Sequence, residues 1–328
     1  MPKITPHTFK RYWFLMALVV ILPLGYLWPE GGIRIRQAGS VVPILVATTL
    51  LISGFTLDTS RLLGQAGKLP VILLCLGTTY GVAPILAYFL VKLWGPEITG
   101  PDSLGFQFLQ AVMILAAQAG TLASALALTG VARGNQELAL ILTVISNSLT
   151  AVLTPLILSL SVGAKVEFPL SAMISRMALV VLLPVVIGQV ARRFLWKAAQ
   201  PILKPLRIAP QIIILTFVYT SFGAAASYLL EASGVLFRFA GICVALHLLL
   251  LAWTYSASTL MRIPQSSRVA VVFCGSQKTL PNGIYLWDHF FSSNPYGAVP
   301  MVLYHILQLV LDTLLIPWIE PRRRSQSD

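Results

Sequence analysis

The chain has 328 residues, 57% of them hydrophobic and 10% charged, with a mean hydropathy of +0.82. That balance excludes a water-soluble globular domain: repeated uncharged runs reach the roughly 20 residues that span a bilayer, so the fold class is an all-α polytopic membrane protein. The formal net charge of +12 does not argue for a nucleic-acid partner, because the cations lie almost wholly in short loops between apolar runs, where they set orientation.

Ten runs are predicted as transmembrane helices, at residues 12–28, 40–57, 69–94, 104–128, 137–160, 170–194, 211–230, 234–261, 267–290 and 296–319. The first follows Lys3, Lys10 and Arg11 and could pass for a signal sequence, but Leu27-Trp28-Pro29 stands where a small-residue cleavage site would be, so it is kept as a helix. The fourth contains Gln118-Ala119-Gly120-Thr121-Leu122-Ala123-Ser124, and the fifth carries Ser146, Asn147, Ser148, Thr150 and Thr154 in midspan. Arg176 enters the sixth and is expected to snorkel outward.

After the sixth run, Arg192, Arg193, Lys197, Lys204 and Arg207 interleave with Leu195, Trp196, Ile202, Leu203 and Leu206. This is either an amphipathic segment on anionic headgroups or an orientation signal alone. Thr216, Thr220, Gly223 and Ser227 form a small-polar stripe along the seventh run, either a close helix contact or one wall of a substrate path. Cys75, Cys243 and Cys274 all fall within apolar runs without metal-ligand spacing and read as buried thiols.

The ninth run is the most informative. Residues 271–284 read VVFCGSQKTLPNGI, an apolar helix interrupted by Gly275, Gln277, Lys278, Pro281 and Asn282. Such a break frees amides and carbonyls that hydrocarbon cannot satisfy, so the unwound stretch lines a hydrated cavity or contacts a ligand, and broken helices at bilayer depth mark transport sites. Lys278 is too deep to snorkel and costs a few kcal/mol unless something holds its ammonium. Candidates are carbonyls freed in the fourth and ninth runs, Asn147 and Asp312; alternatively the amine is neutral and takes up and releases a proton. In the tenth run His305, Gln308 and Asp312 share one helix face. His305 and Gln308 are either interhelical hydrogen bonds or site residues. Asp312, nearer the end, either reaches the interface, neutralises Arg268 or belongs to the site.

Ten runs divide into two fives of opposite orientation, residues 1–160 and 161–328, an inverted repeat. The fourth run of each half echoes the other, with Gln, Thr-Leu and a polar residue two positions on, Gln118 to Ser124 against Gln277 to Asn282. Lys and Arg number 16 on the side holding both termini and 5 on the other, with Arg176 and Lys278 inside runs, so both termini are expected in the cytoplasm.

The motif VVFCGSQKTLPNGI resembles one family, the bile acid:sodium symporter family, most closely its SBF-like branch. His305 with Gln308, Val218-Tyr-Thr-Ser-Phe222, Leu183-Pro184 with Gly188, and Ala132-Arg-Gly-Asn135 extend the resemblance over essentially the whole chain. It implies a core domain of runs three to five and eight to ten, a panel of one, two, six and seven, and runs four and nine crossing at the site. The implied function is secondary active transport of a small organic anion across the cell membrane by alternating access. The expected site comprises Gln118, Thr121, Ser124, Asn147, Thr150, Ser276, Gln277, Lys278, Thr279, Asn282, His305 and Gln308. One sodium ligand set is implied at Thr121, Ser124, Asn147 and Thr150. Sodium-coupled members carry a second, with a ninth-run Glu and a Gln-Asn pair; here Phe273 replaces the Glu and Lys278 the Asn, leaving only Gln277. A hard cation prefers carboxylate oxygen, so the second site is expected to be absent, with the ammonium of Lys278 in place of the ion. Transport is then coupled to sodium at the first site or to a proton, or is uniport.

Two other classes fare worse. An intramembrane enzyme needs a metal cluster, a nucleophile with its base or paired acids, whereas His7, His247, His289 and His305 are scattered. A cation/proton antiporter is expected to expose an acid at the crossover, and the sequence places none there. No loop exceeds about 20 residues, so beyond the lipid bilayer no obligate protein partner is indicated.

Overall fold

A computed structural model describes residues 16–17, 19–21, 23–56, 68–163, 169–231 and 233–320. Among them every regular element is a helix. In chain order these are α1 (Pro29–Gln37), α2 (Val41–Thr56), α3 (Leu69–Trp94), α4 (Leu104–Ala116), α5 (Ala123–Val131) and α6 (Gln136–Ser161). There follow α7 (Leu170–Leu195), α8 (Leu203–Glu231), α9 (Ser233–Leu260), α10 (Gln265–Ser276), α11 (Leu280–Phe290) and α12 (Val299–Ile319). The start of the first predicted run, the preceding Lys3, Lys10 and Arg11, and the tail Arg322 to Arg324 lie outside the described residues.

Five helices, α3, α6, α7, α9 and α12, are long and apolar enough to cross a membrane, and α2, α4 and the Ile208–Thr220 stretch of α8 are shorter apolar helices. Their outer faces are greasy: α7 turns Leu179, Val186, Val190 and Phe194 outward, and α3 exposes Leu73, Ile85, Phe89 and Leu93. In water such a surface would aggregate; around a multi-pass membrane protein it is the face that meets lipid. The polar side chains are inside instead, with Lys278, His247, Asp312, Gln118, Gln277 and Gln308 all buried.

Two predicted runs are split in the structure. α4 ends where Ala117 N–H bonds to Met113 O, and α5 starts only at Ala123. α10 ends where Gln277 N–H bonds to Phe273 O; Gln277 and Thr279 are extended, and α11 starts at Leu280 with Pro281 in its first turn, where its missing N–H costs nothing. The breaks touch, because Thr279 N–H donates to Ala119 O at 2.8 Å. Gly120 permits this approach: a Cβ there would lie 2.5 Å from Cys274 O.

Two intact helices carry a single π turn, Thr78–Val82 in α3 and Ala178–Leu182 in α7, and each is followed by a proline, Pro84 or Pro184. In α3 the register slips, so Ala83 N–H bonds to Thr78 O rather than Thr79 O, and Pro84 has no N–H to offer in its place. Thr79 O is thereby stripped of its backbone donor.

Two loop expectations change. Residues 192–207 form no separate surface helix: residues 196–199 turn, Gln200–Ile202 make one 3₁₀ turn and α8 begins at once. Arg192 points back to Phe55 O at 3.1 Å and stacks over Trp196. At Thr220 the α8 stripe makes a close contact, since Gly31 and Gly32 of α1, a helix where a loop was expected, pack against Tyr219 and Thr220. Arg176 is exposed as expected and donates to His289 Nε2.

α2 and α7 pack backbone to backbone through Gly54 and Gly188, where added Cβ atoms would fall 2.4 Å from Val185 O and 2.3 Å from Leu51 O. Backbone cannot yield as a side chain does, so Gly188→Leu should destabilise the protein by about 2 kcal/mol or more. Thermal unfolding in detergent will show a lowered midpoint for this variant, while the lipid-facing change Val190→Leu leaves the midpoint unmoved.

Candidate functional site

Lys278 sits on the extended link between α10 and α11 and is 1% exposed. Its Nζ donates to Gln118 O at 3.0 Å and to Thr79 O at 2.8 Å. Both acceptors are carbonyls released by helix disruption, one by the break after α4 and one by the π turn of α3. An ammonium needs oxygen partners, and freed carbonyls need donors; each here satisfies the other. Of the partners expected from sequence, the fourth-run carbonyl is correct; the second acceptor comes from α3 and not from the ninth run, and Asn147 and Asp312 bond elsewhere.

The backbone of Lys278 is also held. Gln308 on α12 accepts Lys278 N–H on Oε1 at 2.8 Å and donates Nε2–H to Lys278 O at 3.2 Å, standing in for a neighbouring strand. The same Nε2 lies 3.1 Å from His305 Nδ1, so the two predicted partners on α12 act together. On the other break, Asn147 of α6 donates to Gly120 O at 2.9 Å. Each unwound stretch is therefore supported by the second helix after it, α6 for the α4–α5 break and α12 for the α10–α11 break.

A second chain of contacts runs through Gln277. Its Oε1 accepts from the hydroxyls of Thr121 and Ser124, and its Nε2 donates to Asp312 Oδ2 at 2.6 Å. Asp312 Oδ1 lies 2.9 Å from His247 Nε2, His247 Nδ1 lies 3.2 Å from Tyr304 Oη, and Tyr304 donates to Ser276 O at 2.6 Å. Asp312 thus neither reaches the interface nor meets Arg268, which bonds Ile263 O; α12 turns it inward onto α9, with 0% exposure. This also corrects the expectation that no acid stands at the crossover.

The four oxygens of the implied first sodium set do not share one set of partners. Thr121 and Ser124 close on Gln277, Asn147 Oδ1 accepts from Asn282 Nδ2, and Thr150 meets the Tyr80 hydroxyl at 2.7 Å. Two buried acceptors nearby, Gln118 Oε1 and Asn282 Oδ1, have no hydrogen-bond donor among the described residues, which marks them as places where a bound donor or cation would fit. Among the described residues no group of His, Cys, Asp and Glu is arranged to hold a metal ion, and the three cysteines are free and buried.

Thr79, Tyr80, His247 and Tyr304 were not among the expected site residues. His247 and Asp312 were visible as ionisable groups inside apolar runs, itself a signal of function. Thr79 had only the indirect signal of Pro84 five residues on.

The profile of the SBF-like CPA transporter family matches residues 12–320. A mouse (Mus musculus) protein named sodium/bile acid cotransporter 7 is 26% identical over 322 residues, covering 95% of this chain and 93% of its own. Sodium/bile acid cotransporter 7-B of Xenopus laevis is 24% identical over 331 residues, 96% of this chain and 95% of that one. An uncharacterized Pseudomonas aeruginosa protein is 29% identical over 318 residues, 94% and 93% of the two chains.

Replacing Gln308 by Leu leaves the N–H and C=O of Lys278 buried without their side-chain partner. The cost should be about 2 kcal/mol or more, read as a lowered unfolding midpoint in detergent, whereas an unmoved midpoint would mean that Gln308 does not support the break.

Proposed function

This chain belongs to the SBF-like CPA transporter family, and on that premise we propose that it is a secondary active transporter of a small, anionic organic solute, working by alternating access. It is not an enzyme. In this reading residues 1–160 and 161–328 form two inverted repeats of five crossings each. The core of runs three to five and eight to ten rocks against the panel of runs one, two, six and seven. The chain lies in the cell membrane with both termini in the cytoplasm, the side holding 16 of the loop and terminal cations against 5.

One observation carries the reading: the buried Lys278 Nζ lies where two interrupted helices meet, tied to one carbonyl freed by the α4–α5 break and one freed by the π turn of α3. A fixed positive charge inside a membrane protein favours an anion, and α5 and α11 both start there, each turning the positive end of its dipole toward the crossing. Gln118, Thr121, Ser124, Ser276, Gln277, Thr279 and Asn282 supply the polar lining of the solute site, and Asn147, Thr150, His305 and Gln308 support it.

The relatives' names attach sodium and bile acid to those proteins. For this chain the solute class follows from the ammonium, and Lys278 takes the place a second sodium ion would have. A further sodium at Thr121, Ser124, Asn147 and Thr150 requires those groups to exchange their present partners. A second reading, cation/proton exchange, gains from Asp312, a buried carboxylate one hydrogen bond from the break.

Purified protein screened against organic anions, with and without sodium and at two pH values, should be stabilised thermally by its solute. We expect sodium to raise the unfolding midpoint of Lys278→Ala and not that of the parent. Equal sodium responses in the two proteins would refute the substitution of the ion by Lys278.

A further inference from the structure

We propose that His247 and Asp312 form a one-proton binding site, and that its occupancy is read at the break through Gln277 and Ser276. The pair belongs to none of the solute or sodium positions above. It names the coupling ion of the transport reading, on which it rests, as a proton.

The hydrogen-bond inventory sets the proton count. Tyr304 has one hydroxyl proton and donates it to Ser276 O, which can only accept. The Tyr304 oxygen therefore meets His247 Nδ1 as an acceptor, and Nδ1 carries a proton. Between His247 Nε2 and Asp312 Oδ1, 2.9 Å apart and both fully buried, one more proton is needed, because otherwise two lone pairs face each other. Whether that proton is written on nitrogen or on oxygen, the pair has bound one proton more than neutral imidazole and carboxylate, and carries no net charge.

Releasing the proton to water leaves one proton on the ring and a net charge of minus one on the pair. The ring proton then serves Asp312 from Nε2, Nδ1 becomes an acceptor, and Tyr304 swings its hydroxyl from Ser276 O to Nδ1. Ser276 O is the last carbonyl of α10 before the break, so the α10 end loses a donor. At the other carboxylate oxygen the bond from Gln277, which also holds Thr121 and Ser124, faces a full negative charge instead of a neutral pair. Both sides of the crossing thus sense one proton.

Charge links this to the solute. With Lys278 as an ammonium, the unloaded site sums to zero and the proton-loaded site to one positive charge, so a proton and a monoanion favour each other's binding. The helices packed around the pair carry further titratable groups: Cys243 and Tyr255 on α9 itself, Cys75, Tyr80, Tyr88 and Lys92 on α3, and Cys274 and Arg268 on α10, the last reaching Ile263 O. α12 itself contributes Tyr304 and His305, and the link before α11 contributes Lys278. α4 and α5 carry no titratable side chain. On α9 Arg238 reaches Trp94 O, on α8 Tyr219 reaches Trp28 O, and on α11 Tyr285, Asp288 and His289 lie toward its C-terminal end.

The test uses full-length protein in liposomes adsorbed on a solid-supported membrane, with a pH step applied and no organic solute present. The parent should give a transient charge displacement as the buried site loads. Asp312→Asn should reduce it to the level of empty liposomes, and His247→Gln should move the pH at which it is half-maximal. Should Asp312→Asn fail to fold, an unmoved half-maximal pH in His247→Gln alone overturns the proposal, as does a parent-sized current in Asp312→Asn. An anion screen that yields no solute while the current behaves as described would count against the transport reading and leave the proton site standing.

Discussion

A lysine ammonium buried among apolar helices has to be given oxygens, and regular helices have none to spare. The structure resolves this by disrupting two helices where Lys278 reaches them. The break after α4 releases Gln118 O, and the π turn of α3 releases Thr79 O because Pro84 cannot donate. The ammonium in turn relieves the carbonyls that the disruptions expose. Neither feature is stable in hydrocarbon alone, and together they fix α3, the α4–α5 break and the α10–α11 break against one another.

Around that point the same logic repeats. Backbone groups freed by unwinding find side chains from neighbouring helices: Gln308 takes Lys278 N–H and C=O, Asn147 takes Gly120 O, Tyr304 takes Ser276 O, and Thr154 takes Ala117 O. The backbone of one break caps the other between Thr279 and Ala119. Small residues set the distances, with Gly120 under Cys274 O and Gly283 under Met301. The polar interior is built by helix ends and prolines, and the exterior is left apolar for lipid.

Much of this was legible in the residues. The predicted run 69–94 coincides with α3, and the two interruptions fall where Gly120 with Thr121 and Gln277 with Pro281 stand in otherwise apolar runs. The local sequence fails where long-range packing decides. Asp312 lies near the end of its run, which suggested an interfacial role, yet the helix face it shares with Gln308 turns onto α9 and His247, a partner 65 residues away. Thr79 was invisible because its freed carbonyl results from a register slip, not from its own side chain. Residues 29–39 fall between two predicted runs, but Gly31 and Gly32 pack on Tyr219 and Thr220, and tertiary contact overrides their poor helix propensity.

The central claim is that Lys278 is an internal cation clamped between two disrupted helices. Solid-state NMR on the protein in bilayers, with ¹⁵N-lysine and ¹³C-carbonyl labels at threonine and glutamine, measures it directly. The account predicts dephasing of Lys278 Nζ by the carbonyls of Thr79 and Gln118, consistent with N···O contacts of 2.8 and 3.0 Å. A Lys278 Nζ signal that shows no such dephasing and cross-relaxes with bulk water or lipid headgroups would contradict it.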